Sequence, residues 1–223
     1  MYRWLTAHIC AFARLLAERL LHEECASLRS TLRAEFRKYS SELRARLPAT
    51  LVQCLIVAED HRFYLHGGLD PIAIGRCLIE APFGRRMAGA STVEQQLVRT
   101  LTKRYERSLR RKLREILLAS TVSTVIAKAD VPGLYLSVAY MGWQMNGIKE
   151  ACHRFGIALE EMTPRQAASL VARLKYPQPR ECSIQRSQQI AGRANHILTR
   201  ATRLELTWGD VTAEGAASAT IYS

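Results

Sequence analysis

Two carboxylates, Glu59 and Glu115, and a dense run of cations between and around them are the residues whose types and spacing could do chemistry. Glu59 opens the stretch EDHRFYLHGGLD directly after the apolar run Leu51 to Val57. A carboxylate at the end of a hydrophobic helix is costly to bury ionised, which suits it to exchange protons near neutrality as a catalytic acid or base. Asp60, one residue on, points about 100° away around a helix, so it is expected to hold the local loop or a basic partner. Phe63 and His66 read more simply as a packing anchor and a hydrogen-bonded structural histidine than as catalysts.

Between Arg99 and Arg114 stand eight Arg or Lys against the single acid Glu106. A solvated helix usually mixes its signs, so this run is a candidate anion site. Arg107, Arg111 and Glu115 follow at steps of four with Lys112 beside them, so one helix face is expected to carry two guanidiniums and a carboxylate. An ordinary intrahelical ladder of ion pairs has the same spacing. Upstream, Ser91, Thr92, Gln95 and Gln96 supply hydroxyls and amides next to Arg99. Glu94, within that block, is expected to add negative charge close to the anion site.

The six cysteines and six histidines show no metal-ligand spacing, and structural zinc is not expected. Cys54 and Cys77 sit in apolar surroundings and read as buried thiols. A net charge of +12 implies an anionic partner: nucleic acid, a phospholipid surface or a phosphorylated substrate. Nucleic acid ranks last, because the basic segment lacks interleaved aromatics and no groove-reading motif is present.

The elements that must position these groups are helical. Leu5, Ile9, Phe12, Leu16 and Leu20 recur at steps of three and four, which predicts an amphipathic helix over 4–24, followed by a helical stretch over 26–46. The apolar face needs a partner: the main body, another chain or a membrane surface, with packing onto the body the simplest. His8, Arg14, Glu18 and Arg19 interrupt residues 4–21, so no membrane-spanning helix is expected there, and the short apolar segment before Ala11-Phe12-Ala13 fits a signal peptide poorly. Pro48 suits the first turn of a helix running to about Asp60, and Gly67-Gly68 breaks the chain before a helix near Asp70 and Pro71. Residues 81–90, with Pro82, Gly84 and Gly89, read as a mobile loop, after which Ser91 or Thr92 caps the helix carrying Gln95, Gln96 and Arg99. Further helices are predicted over 107–128, 133–141, 147–155, 163–174 and 184–205. No alternating strand is visible, and the small polar residues after Trp208 read as a frayed tail.

Five blocks in this order resemble the motifs of the peptidoglycan glycosyltransferases, the family of monofunctional transglycosylases and of the catalytic domain of class A penicillin-binding proteins. They are EDHRFYLHGGLD (Glu59 to Asp70), GASTVEQQLVRTL (Gly89 to Leu101), RKLREILLA (Arg111 to Ala119), YLSVAYMGWQMNGIKEAC (Tyr135 to Cys152) and MTPRQAASLVARLKYPQP (Met162 to Pro179). The resemblance covers roughly Pro48 to Arg203. It implies a mainly α, lysozyme-like glycosyltransferase fold with a small basic, membrane-facing lobe around residues 75–110. The implied division is an N-terminal amphipathic helical extension (1–46), the glycosyltransferase domain (47–206) and a flexible tail (207–223).

The resemblance also implies roles. Glu59 matches the general base that deprotonates the 4-hydroxyl of lipid II. That hydroxyl attacks the anomeric carbon of the growing glycan chain, in an inverting transfer that expels undecaprenyl pyrophosphate. Arg99 and Arg107 match basic positions that stabilise the diphosphate, with Arg111 and Lys112 beside them, and Arg99 replaces the Lys more usual there. Glu115, the second catalytic carboxylate, would orient that cluster or help bind a divalent ion. Ser91, Thr92, Gln95 and Gln96 match the donor-site block, and Asp60, Phe63 and His66 support it. No cofactor is required by this reading, although a divalent cation, Mg or Mn, fits it. The implied partners are lipid II, the growing glycan, the outer face of the bacterial cytoplasmic membrane and other cell-wall synthesis proteins. Two rival readings are a lysozyme-like glycan hydrolase, against which the basic run argues, and an inert cell-wall-associated binding protein that keeps the fold.

Overall fold

The computed structural model describes residues 2–39, 41–80 and 91–219. It is mainly α, as expected. The helices are α1 (Tyr2–Leu20), α2 (His22–Lys38), α3 (Ser41–Arg46), α4 (Ala49–Glu59), α5 (Pro71–Glu80), α6 (Val93–Thr102), α7 (Leu109–Val122), α8 (Val131–Val138), α9 (Ile148–Phe155), α10 (Pro164–Lys175) and α11 (Ile184–Ala219). The segment 81–90, predicted as a loop within the basic lobe, lies outside the described residues.

Helix α4 is the spine of the core. Leu51, Cys54, Leu55, Ile56 and Val57 are all buried in it, on more than one face, because α8, α10 and α11 pack around it. A helix apolar all round is stable only when enclosed in this way. Pro48 stands one position earlier than predicted, with ψ 135° in extended backbone, and starts α4 from its capping position. Helices α6 and α7 pack on each other beside α8, with α2 over both. Cys10, Cys25, Cys54, Cys77 and Cys152 are buried thiols.

Three expectations change. A short antiparallel hairpin is present, Tyr140–Gly142 paired with Met145–Asn146, too short for alternation to show in the sequence. The last helix runs past residue 205 into the stretch read as tail. The largest change concerns α1, which does not dock through the apolar stripe of large residues. It packs on α7, and the residues it buries are Thr6, Cys10, Ala13 and Ala17, whereas Leu5, Phe12 and Leu20 are exposed. Small side chains let the two helix axes approach closely, and that contact outweighs the burial of the bulkier row.

The turn after the 3-10 turn Phe63–Leu65 is held by one glycine. Gly68 has φ +106°, and a Cβ there would stand 2.5 Å from the Ala119 carbonyl oxygen of α7. Both the left-handed backbone and the backbone contact exclude a side chain. Gly68→Ala is therefore expected to cost about 2–3 kcal/mol of stability, read as a lower urea midpoint with an unchanged slope.

Candidate active site

Glu59 is the last residue of α4, and its side chain stands 17% exposed where the apolar helix ends. Three other helices converge on it. Gln96 of α6 donates from Nε2 to Glu59 Oε2 at 3.0 Å, and Arg193 of α11 reaches Oε1 at 3.2 Å while also donating to the Ala58 carbonyl at 2.7 Å. Tyr135 of α8 donates its hydroxyl to Gln96 Oε1 at 2.8 Å. Burial, with the charge of Glu59 as a second cause, pushes the Tyr135 hydroxyl well above its ordinary pKa and keeps it a donor. That fixes which end of the Gln96 amide faces Glu59. With both of these neighbours donating, each carboxylate oxygen retains a lone pair for a further donor.

Asp60 turns away from Glu59, though by the non-helical backbone of the residue that ends α4 (φ −160°, ψ 70°) rather than by a step around the helix. It is buried, meets His66 Nε2 at 3.1 Å and accepts the Val93 N–H of α6 at 3.1 Å. His66 in turn accepts the Gly68 N–H on Nδ1 at 3.2 Å, so Nε2 carries the proton toward Asp60. Thr92 caps the same helix: its hydroxyl accepts from Gln95 N and donates to the Gly68 carbonyl at 2.8 Å. Two side chains thus seat the N-terminus of α6 against the end of α4, which places Gln96 beside Glu59. Phe63 is fully buried, with the Lys128 ammonium 3.7 Å from its ring centre.

The second constellation lies one turn along α6. Arg99 grips Glu115 of α7 with two bonds, Nε to Oε2 at 3.0 Å and one terminal nitrogen to Oε1 at 3.1 Å. Arg111 bonds Oε2 as well, and Lys112 bonds Oε1 at 2.8 Å. Lys112 also reaches Ser91 Oγ at 2.8 Å and Gln95 Oε1 at 2.7 Å. Burial alone would raise the Glu115 pKa, but the hydrogen bonds and charges of Arg99 and Lys112 hold it below the ordinary glutamate range. Arg99, against its own burial, is raised by Glu115, whereas burial keeps Lys112 lowered.

A cleft of about 490 Å³ opens over Glu59, lined also by Asp60, His61, Ser91, Gln96 and Arg99, with Arg76, Lys175, Arg193 and Arg200 adding charge from α5, α10 and α11. The sequence-predicted residues therefore divide. Glu59, Ser91, Gln96 and Arg99 face the cleft. Glu115 does not line it and reaches it only through Arg99. Thr92 and Gln95 are buried and spent on capping and on Lys112. Arg107 stands apart: Ser108 caps α7, so the helix begins after Arg107, and the expected face of two guanidiniums starts only at Arg111. Arg107 is exposed and forms no hydrogen bond or ion pair with a described residue.

Glu94 corrects a second expectation. It lies about 200° around α6 from Gln96, is buried, and pairs with Lys128, so its charge is neutralised away from the cleft. Sequence reasoning missed Tyr135, Lys128 and Arg193, which act over separations of 34 or more residues and carry no local spacing signal.

Among the described residues, neither the Glu115 cluster nor the carboxylates near Asp60 suit a divalent cation. Both Glu115 oxygens are occupied by three cations, which repel a metal ion. Asp60, His66 and Asp70 lie close enough to share one. Their atoms are already committed, however: Asp60 to His66 and Val93, Asp70 to Arg62 and the Ala73 N–H.

A family model described as transglycosylase matches residues 24–202, and the chain belongs to that family. The mainly α, lysozyme-like architecture is the one this family has. The chain is 35% identical over 134 residues to penicillin-binding protein 1A of Escherichia coli (strain K12), covering 59% of this chain and 16% of that protein. It is 35% identical over 160 residues to penicillin-binding protein 1A of Haemophilus influenzae, covering 70% and 18%. With penicillin-binding protein 1B of Vibrio cholerae the identity is 36% over 143 residues, covering 60% and 18%. The matched segment is thus less than a fifth of each relative's length.

The Glu115 cluster has a pH signature. A carboxylate whose folded pKa is depressed contributes stability fully above its unfolded value and loses it as pH falls through the folded one. Glu115→Gln should lower the unfolding free energy at neutral pH by the low end of about 3–5 kcal/mol, since Arg99 and Lys112 are 32% and 29% exposed and water takes up part of their charge. Thermal melts against pH should show the gap between variant and parent closing on the acid side of the ordinary glutamate range.

Proposed function

We propose that the chain is a peptidoglycan glycosyltransferase that polymerises lipid II, with Glu59 as its general base. The observation that carries this reading is Glu59 itself, held by Gln96 and Arg193 and open to a cleft whose lining includes Arg76, Arg99, Lys175, Arg193 and Arg200. A hydroxyl hydrogen-bonded to a free lone pair of Glu59 loses its proton to that carboxylate as it attacks the anomeric carbon of the lipid-linked chain. Attack from the face opposite the leaving group inverts that centre.

The leaving diphosphate gains charge as the anomeric bond breaks. Arg99 spends two of its N–H groups on Glu115 and presents the rest of its guanidinium at the cleft. Preorganised cations aimed at developing charge stabilise the transition state more than the ground state. Arg76, Lys175 and Arg200 extend that field across the cleft. Ser91 and Gln96 offer hydrogen bonds to sugar or phosphate oxygens, while Lys112, bonded to Ser91, aligns that hydroxyl. Membrane-associated work at the outer face of the cytoplasmic membrane, among other cell-wall synthesis proteins, follows from the same reading.

The cleft disfavours glycan hydrolysis. That reaction employs a pair of carboxyl groups, and Asp60, the other carboxylate at the cleft, is bound by His66 and the α6 backbone. Hydrolysis also releases no diphosphate for Arg99 to meet.

Purified protein given labelled lipid II in detergent with magnesium should yield polymer on a gel. Glu59→Gln, which keeps the size of the side chain, should lower turnover by at least about a hundredfold with an unchanged melting temperature. Equal turnover by the two proteins rejects Glu59 as base, and clearing of purified cell walls without polymer supports the hydrolase instead.

A further inference from the structure

Helix α1 precedes the segment matched by the family model, 24–202, and nothing in the proposed chemistry uses it. It is nonetheless a fixed part of the body. Thr6 donates to the Leu65 carbonyl at 3.0 Å, Cys10 and Ala13 pack with Leu69, Ile74, Ile116 and Leu117, and Ala17 reaches the main core. With its small residues turned inward, the opposite face carries Trp4, His8, Phe12, Leu15 and Arg19 at steps of four, four, three and four. Trp4, Phe12 and Leu15 are 67%, 63% and 64% exposed, with Leu5 and Leu20 beside them also exposed. A contiguous row of this kind marks an interaction surface.

The surroundings select the partner. Leu113 and Leu109 of α7, 62% and 84% exposed, lie one and two turns before the Ile116–Leu117 pair packed with α1, so exposed leucines stand at the edge of that helix contact. Arg19, Arg107 and Arg110 are exposed along it. Of the neighbouring acids, Glu18 pairs with Arg29 and Glu24 with Arg104 and Arg114, which leaves Glu23 and Glu106 exposed against the three arginines. A second copy would set a chain of net charge +12 against another of the same charge, which opposes self-association. No helix among the described residues is long and apolar enough to cross a membrane. An apolar row with tryptophan at its end, cations along its edge and too little hydropathy to span suits a helix lying in the plane of an anionic interface.

We propose that the outer face of α1, continued by Leu109 and Leu113, seats the protein flat on an anionic phospholipid surface. The apolar row enters the acyl boundary, and Arg19, Arg107 and Arg110 meet headgroup phosphates. This does not depend on the transferase reading, since vesicles containing no lipid-linked sugar test it.

The full chain is floated with vesicles of phosphatidylglycerol and phosphatidylethanolamine, and separately with phosphatidylcholine alone. It should partition onto the anionic vesicles, and the double variant Phe12→Glu/Leu15→Glu should bind at least about tenfold more weakly. Ile184→Glu, at an equally exposed leucine-sized position on α11, should bind like the parent. Brominated acyl chains should quench part of the tryptophan emission, and Trp4→Phe should remove that part. Circular dichroism melts confirm that each variant is folded. Parent protein left in the soluble fraction, or a Phe12/Leu15 variant that floats like the parent, overturns the proposal. So does an Ile184 variant that loses binding equally, or a dimer on sedimentation that Phe12→Glu dissociates.

Discussion

One buried anion allows the basic cluster to exist. Arg99, Arg111 and Lys112 bring three positive charges onto a single carboxylate that is 3% exposed in its side chain. Without Glu115 these cations would repel one another, and their long side chains would swing into solvent. With it, α6 and α7 are pinned together, Lys112 gains a fixed reach to Ser91 and Gln95, and Arg99 is held facing the cleft. Glu115 is therefore best understood as the foundation of the cation cluster rather than as a second proton carrier.

The same helix sets the distance between this cluster and the proposed base. Gln96 holds Glu59, and Arg99 holds Glu115, and the two stand three residues apart on one side of α6. One turn of helix thus fixes the offset between the proposed base and the proposed leaving-group cation. The capping of α6 by Asp60 and Thr92 protects this offset, because it ties the helix start to the end of α4 from which Glu59 projects. Glu59 and Glu115 are linked here through the rigid backbone of α6, with no direct contact between the two carboxylates.

Local pattern revealed most of what local forces decide. The apolar run ending at Glu59, the cap at Thr92 and the four-residue step from Arg111 to Glu115 are contacts within a helix or across one turn, and spacing exposes them. Arg107 shows the limit: the step of four predicts a shared face only if the helix has already begun, and the Ser108 cap starts it one residue too late. Arg193 and Tyr135 were invisible because they come from other helices, chosen by the way α8 and α11 pack on α4. The outward turn of α1 was misread for a related reason. Periodicity shows that a helix has two unlike faces, but which face docks depends on the neighbour, and α7 accepts small residues.

The departures of this chain from the family blocks can be judged by where their side chains go. Gln166 closes a reciprocal cap on α10, accepting the Thr163 N–H at 2.8 Å while its own N–H reaches the Thr163 hydroxyl. An amide serves that geometry as well as a carboxylate does. Ser137 bonds back to the Leu134 carbonyl within its own helix. Glu94 is matched by Lys128, whose ammonium also sits on the Phe63 ring, so an added buried charge came with its counter-ion and an aromatic seat. Of these departures among the described residues, only Arg99 reaches the cleft. There the exchange of an ammonium for a guanidinium keeps the charge and permits the two-point grip on Glu115 that a lysine cannot make. The substitutions within the body are absorbed by its packing, and the one at the cleft holds Glu115 at two points.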